Sequence, residues 1–185
     1  VLVTAPAEAT IYFRESEGVA HVSGSFDPGD ETLFAEFLAR PRTRRLAVIF
    51  LDSAGGAIGA GIAIGRMIRK ARLATAVDAG SSRCESACTL IFAGGVRRHY
   101  VGGEAIFEGT SGRGGLGYHP AHWRDPSWTR AGFSDKGTAQ MAAFYREMGQ
   151  PRAAELMLKA GFSSMFRPSG QTALALRIAT TLAAP

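Results

Sequence analysis

The chain has 185 residues, 46% of them hydrophobic and 20% charged, with a formal net charge of +5. These fractions are ordinary for a globular protein, and the length suits one domain, residues 1–185, with a substantial core. No apolar run approaches the roughly 18 residues of a membrane span. The basic clusters at Arg40–Arg45, Arg66–Arg72 and Arg97–Arg98 lack the interleaved aromatics of a nucleic-acid surface, so they read as solvated faces.

The chain opens on Val1 rather than Met, as expected where a leader or tag has been removed. Ala9–Phe13 and Val19–Ser23 are β-rich and joined by a polar turn, which predicts a hairpin. A helix follows, capped by Asp30, with Leu33, Phe34, Phe37 and Leu38 at helical spacing and Pro41 at its end. Leu46–Leu51 is continuously apolar, as in a parallel strand buried on both faces. The turn Asp52-Ser-Ala-Gly-Gly-Ala-Ile-Gly59 leads into a helix over Ala57–Ala71, with small residues on one side and Arg66, Arg69 and Lys70 near its C-terminal end. Leu73–Val77 predicts the next strand, and Ser86–Ala93 a buried helix closed by Gly94 and Gly95. The sequence of elements is βαβα. Gly102–Gly117 reads as a mobile glycine-rich loop, and Pro120–Gly132, with Trp123 and Trp128, as an aromatic and polar segment. Thr138–Met148 and Pro151–Ala160 predict helices, and Thr172–Leu182 a last helix or strand.

Two stretches carry chemistry. The glycine turn leaves backbone N–H groups unpaired at a helix N-terminus, where they favour negative charge. No Gly-Lys-Ser/Thr follows, so it is not a nucleotide phosphate loop, and taken alone it is a tight turn. In Cys84-Glu-Ser-Ala-Cys88, Ser86 sits at a strand-to-helix junction, where serine is usually only a cap. Its flanking residues allow a second role, as a nucleophile beside an oxyanion hole. The two cysteines, without further ligands, make a poor metal site; they are either free thiols or one disulfide clamping the junction. His119, in Gly-Tyr-His-Pro, offers a general base. His119 and His122 form a His-x-x-His pair without a third ligand, so no metal is expected. His21 reads as a packed or edge residue and His99 as exposed.

From Leu46 to His119 the chain resembles the Clp protease proteolytic subunit and the wider crotonase-like superfamily. The family pattern is an apolar strand, a Ser-Pro-Gly-Gly turn, a helix, a strand, Ala-Ser-x-Gly at the nucleophile and a strand ending in His. Here the turn is Ser53-Ala-Gly-Gly56, with Ala54 in place of Pro, and Gly94-Gly-Val-Arg-Arg98 resembles the family's Gly-x-x-x-Arg connection. The chain is more similar still to a group of exported proteins with a Cys-x-Ser-Ala-Cys signature. The resemblance implies a crotonase-like (ClpP-like) α/β spiral with a mostly parallel sheet and flanking helices. It implies Ser86 as nucleophile, His119 as base, and the N–H groups of Gly56 and Ala87 as oxyanion-hole donors. It also implies a Cys84–Cys88 disulfide, a periplasmic or secreted location, a peptide or protein substrate, a homo-oligomer and no cofactor. Two departures stand out. Glu108–Gly115 is longer than the family's loop. The family's third residue, a downstream Asp, has no counterpart, since no Asp or Glu follows Glu155. Ser164, or its neighbour Ser163, matches its position; Asp125 is the other residue available to orient His119.

These features predict a serine hydrolase, most simply a peptidase. The missing acid keeps a second expectation open, a weak or inactive member of the fold acting as a binding or assembly module. An acyl-CoA enzyme needs no such serine. A serine–lysine peptidase would have to recruit Lys70, Lys136 or Lys159, none of them in a recognisable motif.

Overall fold

The protein is described here by a computed structural model that covers residues 11–124, 127 and 129–185. Chain order sets the sheet. β1 (Ile11–Ser16) and β2 (Val19–Gly24) pair antiparallel across Glu17 and Gly18, both at positive φ (51° and 84°), as a two-residue hairpin turn requires. β3 (Val48–Asp52), β4 (Ala74–Asp78) and β6 (Arg98–Val101) then add in parallel, giving the order β1-β2-β3-β4-β6. The helices α1 (Asp30–Ala39), α2 (Ile58–Lys70) and α3 (Ala87–Gly94) are the crossovers. They share one core with Ala20, Val22, Ile49, Leu51 and Val77, while Val48, Ala74 and Ala76 gather with Phe50 in a separate small cluster. β3 is therefore apolar on both faces, but Phe50 on the second face is only partly buried, short of the burial on both faces that the sequence predicts.

The small residues of α2 let it approach α3 at backbone distance. A Cβ on Gly61 would lie 2.8 Å from the Ala87 carbonyl oxygen, and one on Gly94 would lie 2.2 Å from the Gly65 carbonyl oxygen. This contact fixes the start of α3, and hence Ser86, against the start of α2. A second, two-stranded sheet joins β5 (Arg83–Glu85) in parallel to β7 (Gly115–Gly117). Ser53 borders β5 on its other side, its N–H donating to the Arg83 carbonyl at 2.7 Å and its carbonyl accepting from the Glu85 N–H at 3.0 Å. β8 (His122–Arg124) and β9 (Ala131–Phe133) form a hairpin. α4 (Asp135–Glu147) packs on α2 and α3, and α5 (Ala153–Met157) and α6 (Gly170–Ala175) follow. Among the described residues no helix is long and apolar enough to cross a membrane.

Several local expectations change. Gly29, not Asp30, is the cap of α1; Asp30 is its first residue and accepts the Asp27 N–H at 2.7 Å. The 102–117 segment contains a 3₁₀ turn and β7 and is stitched down. Arg167 donates to the Gly112 and Gly114 carbonyls at 2.7 and 2.9 Å, and Glu108 accepts from the Ser169 N–H at 3.2 Å. His99 is buried rather than exposed, its Nδ1 2.9 Å from the Ala183 carbonyl oxygen. Arg98 is internal too, donating to the carbonyls of Ile178, Gly95 and Arg177. Arg69 donates to those of Ala93 and Gly94, at the C-terminal end of α3. These cations satisfy helix-end and loop carbonyls, so part of the basic clusters is structural rather than solvated.

Candidate active site

The turn after β3 is built by contacts that only glycine permits. Ser53 Oγ accepts the Gly55 N–H at 3.0 Å, and Phe26 brackets the turn, donating to Gly55 at 2.9 Å and accepting from Ala57 at 2.6 Å. Gly55 has φ +102°, and a Cβ there would stand 2.7 Å from both the Glu85 carbonyl oxygen and the Ser86 Cβ. At Gly56 (φ +141°) a Cβ would meet the Phe26 carbonyl oxygen at 2.1 Å. The glycine turn and the Ser86–Ala87 junction are thus in van der Waals contact. Among the described residues neither the Gly56 N–H nor the Ala87 N–H donates to another protein group. Ala87 is the first residue of α3, where the helix dipole adds to the attraction for an anion.

Ser86 holds φ 53° and ψ −124°, a conformation that non-glycine residues adopt only under constraint. Its N–H donates to Gly117 at 2.9 Å, and its carbonyl accepts from the Thr89 N–H at 3.0 Å. The Cys84–Cys88 disulfide, with its sulfurs 2.06 Å apart, closes around it, both cysteines fully buried. The Ser86 side chain does not cap α3, and it is partly exposed. Its hydroxyl is therefore available for other work.

His119 lies two residues beyond Gly117, the acceptor of the Ser86 N–H, so pairing of β5 with β7 brings the two residues to the same end of the sheet. Tyr118 anchors it through paired backbone bonds with Phe166 at 2.8 and 2.9 Å. Its ring is 8% exposed and its centroid lies 4.6 Å from that of His122, which stacks on Phe162 at 4.3 Å. Burial, and secondarily the His122 charge, lower its pKa to about 4, with the Pro120 backbone pulling the other way. Its Nδ1 is buried and meets no hydrogen-bond partner among the described residues. Ser163 and Ser164 line a cavity of about 210 Å³ beside His119, but Ser164 Oγ is occupied by the Gly161 N–H at 2.9 Å. No hydrogen bond joins Ser164 to the ring, and Asp125 lies outside the described residues, as does Trp128. Lys70, Lys136 and Lys159 are all exposed, without the burial that activates a lysine base. No group of three His, Cys, Asp or Glu residues able to hold a metal occurs among the described residues.

Sequence reasoning missed four residues around Ser86. Glu85, immediately before it, is 7% exposed and pairs with Arg167, itself 3% exposed, in a buried ion pair that ties the junction to the 112–114 loop. Thr89 and Tyr145 meet beneath the junction. The partners of these pairs are 82 and 56 residues apart, so no local spacing reveals them.

The parallel sheet, its helical crossovers and the glycine turn beside a serine junction together define a ClpP/crotonase-like α/β fold. Among solved structures the chain is similar to the 1510-N membrane-bound stomatin-specific protease. A serine-to-alanine variant of that protease superposes with a TM-score of 0.63 at 17% identity, covering 89% of this chain and 78% of that one. A lysine-to-alanine variant in complex with a substrate peptide gives 0.62 at 17% identity, over 89% and 74% of the two chains. An enoyl-CoA hydratase from Mycobacterium avium subsp. paratuberculosis gives 0.54 at 16% identity, over 94% and 68%. At these identities the likeness is one of fold. No protein-family model matches the chain, and no curated protein matches it in sequence.

Proposed function

We propose that the protein is a serine hydrolase that cleaves peptides. The observation that carries this reading is the contact between the glycine turn and a constrained, non-capping Ser86, with two undonated N–H groups on the adjoining segments. In this reading Ser86 Oγ attacks the scissile carbonyl carbon and passes its proton to His119. The N–H groups of Gly56 and Ala87 hold the oxyanion, and His119 returns the proton to the leaving amine. Water then releases the acyl group from Ser86. The fold's likeness to a protease solved with a substrate peptide supports a peptide substrate. A disulfide around the nucleophile suits an exported, oxidising location such as the periplasm, and the fold suits a homo-oligomer.

A fluorophosphonate probe tests the reading. Ser86 should be labelled, Ser86→Ala should abolish labelling, and His119→Ala should slow it by orders of magnitude. An unlabelled native protein would remove the hydrolase reading. A second reading, a binding module of the same fold, is favoured by His119 Nδ1, which has no hydrogen-bond partner among the described residues, where an active triad places an orienting acid. In that case peptide binding would be unchanged by Ser86→Ala and no labelling would occur.

A further inference from the structure

Thr89 and Tyr145 are two fully buried hydroxyls that the proposed chemistry leaves unused. Thr89 Oγ1 lies 2.5 Å from the Ser86 carbonyl oxygen and 2.6 Å from the Tyr145 hydroxyl. A carbonyl oxygen only accepts, so the single hydroxyl hydrogen of Thr89 goes to Ser86, and Tyr145 must donate to Thr89. Burial raises the Tyr145 pKa well above that of an ordinary phenol, so its proton stays in place to be donated. A threonine bonding back to the carbonyl three residues earlier is common in helices. Two features set this one apart. The second hydroxyl arrives from α4, 56 residues away. The acceptor belongs to Ser86, whose φ of 53° and ψ of −124° persist only if the surroundings impose them. The Ser86 carbonyl and the Ala87 N–H share one planar trans peptide and point in opposite directions, so holding the oxygen aims the N–H.

We propose that Thr89 and Tyr145 are positioning residues for the oxyanion hole. The relay from Tyr145 O–H through Thr89 O–H to the Ser86 carbonyl locks the 86–87 peptide with the Ala87 N–H directed at the developing oxyanion. Hydrogen bonds in series polarise one another, so the relay also makes that N–H a stronger donor. The proposal rests on the serine-hydrolase reading.

The test uses the whole chain with its disulfide intact and measures the second-order rate constant for fluorophosphonate labelling of Ser86 alongside the thermal midpoint. Thr89→Val should slow labelling about tenfold to a hundredfold, less than outright loss of an oxyanion donor. Thr89→Ser restores the hydroxyl and should return the rate to within about threefold of native even if its midpoint stays lowered. Tyr145→Phe should slow labelling severalfold in the native background and have no further effect once Thr89 is Val. Should Thr89→Val not fold, the native midpoint of Tyr145→Phe combined with a slowed rate, and the rescue by Thr89→Ser, still carry the proposal. Labelling of Thr89→Val or Tyr145→Phe at the native rate, failure of Thr89→Ser to restore it, or independent effects in the double variant would overturn the relay alone. Absence of labelling in the native protein would overturn the hydrolase reading and the relay with it.

Discussion

Lowering the pH from 7 to 4 should cost the fold stability in part through the His119 ring. His119 is 8% exposed, and burial first, then the His122 charge, lower its pKa from 6.5 to about 4 against a weaker pull from the Pro120 backbone. In the unfolded chain the ring titrates near 6.5. Above that pH the ring is neutral in both states and contributes nothing. Between 6.5 and about 4 the unfolded chain binds a proton that the folded chain refuses, so the unfolding free energy falls as the pH falls. Below about 4 both states are protonated and the loss is complete. The gap from 6.5 to about 4 corresponds to about 3 kcal/mol at roughly 1.4 kcal/mol per unit. His21 is shifted in the same direction, by burial first and Arg14 second, and carboxylates titrate nearby. Comparison with His119→Gln, which removes the titration at similar volume, cancels these. Urea unfolding of both proteins at several pH values should show their stability difference moving by about 2–3 kcal/mol in favour of the variant between pH 7 and pH 4. A difference constant to within about 0.5 kcal/mol across that range would refute the reasoning.

The same ring sets the acid limb of Ser86 labelling, which should hold level from pH 7 to 5 and fall near pH 4; a limb at 6.5 would contradict the lowering of its pKa by burial. Arg167→Met leaves the buried Glu85 carboxylate to the longer contact with the exposed Arg83 at 3.7 Å and removes the donors to Gly112 and Gly114, so denaturant unfolding should show a loss of about 3–5 kcal/mol, with partial recovery on adding Glu85→Gln. Gly55→Ala forces a Cβ within 2.7 Å of the Ser86 Cβ at φ +102°. It should cost about 2–4 kcal/mol and abolish labelling; a native melting curve would contradict the packing described. Replacing Cys84 and Cys88 by Ala opens a short loop and should lower stability by about 2 kcal/mol. Alkylation of the denatured native protein without reductant should label no thiol.

The elements legible in the sequence are those whose signals are local. Leu46–Leu51 is continuously apolar, and β3 occupies 48–52, with Ile49 and Leu51 in the main core and Val48 beside a half-buried Phe50 on the other face. The turn Ser53–Gly56 and the small residues of α2 announced close backbone approaches, and Gly55, Gly56 and Gly61 make them. β5 and β7 were hidden because three-residue strands carry no periodicity, and glycine-rich β7 looked like a loop. β6 was hidden by its composition. Arg98 and His99 read as solvent-facing until the carbonyls they bond, 80 and 84 residues away, are brought to them by folding. In the proposed site, the serine, histidine and glycines could be named from their motifs and a family resemblance. Glu85, Thr89, Arg167 and Tyr145 could not, since each matters through a partner that only the fold supplies. Ser164, which matched the missing acid by position, is engaged with its own loop instead.

β6 ends the five-stranded sheet, and its outer edge is not bare. The Tyr100 N–H donates to Thr181 at 2.9 Å, the Thr180 N–H to Arg98 at 2.9 Å, and Thr181 pairs with His99 in a parallel bridge. An unsatisfied row of strand N–H and C=O groups is a template for edge-to-edge aggregation. Here the chain covers that edge itself, through Thr180 and Thr181. A truncation that removes residues 178–183 takes Ile178 and Ala179 out of the core and bares the β6 edge, so aggregation that accompanies local unfolding is the expected symptom.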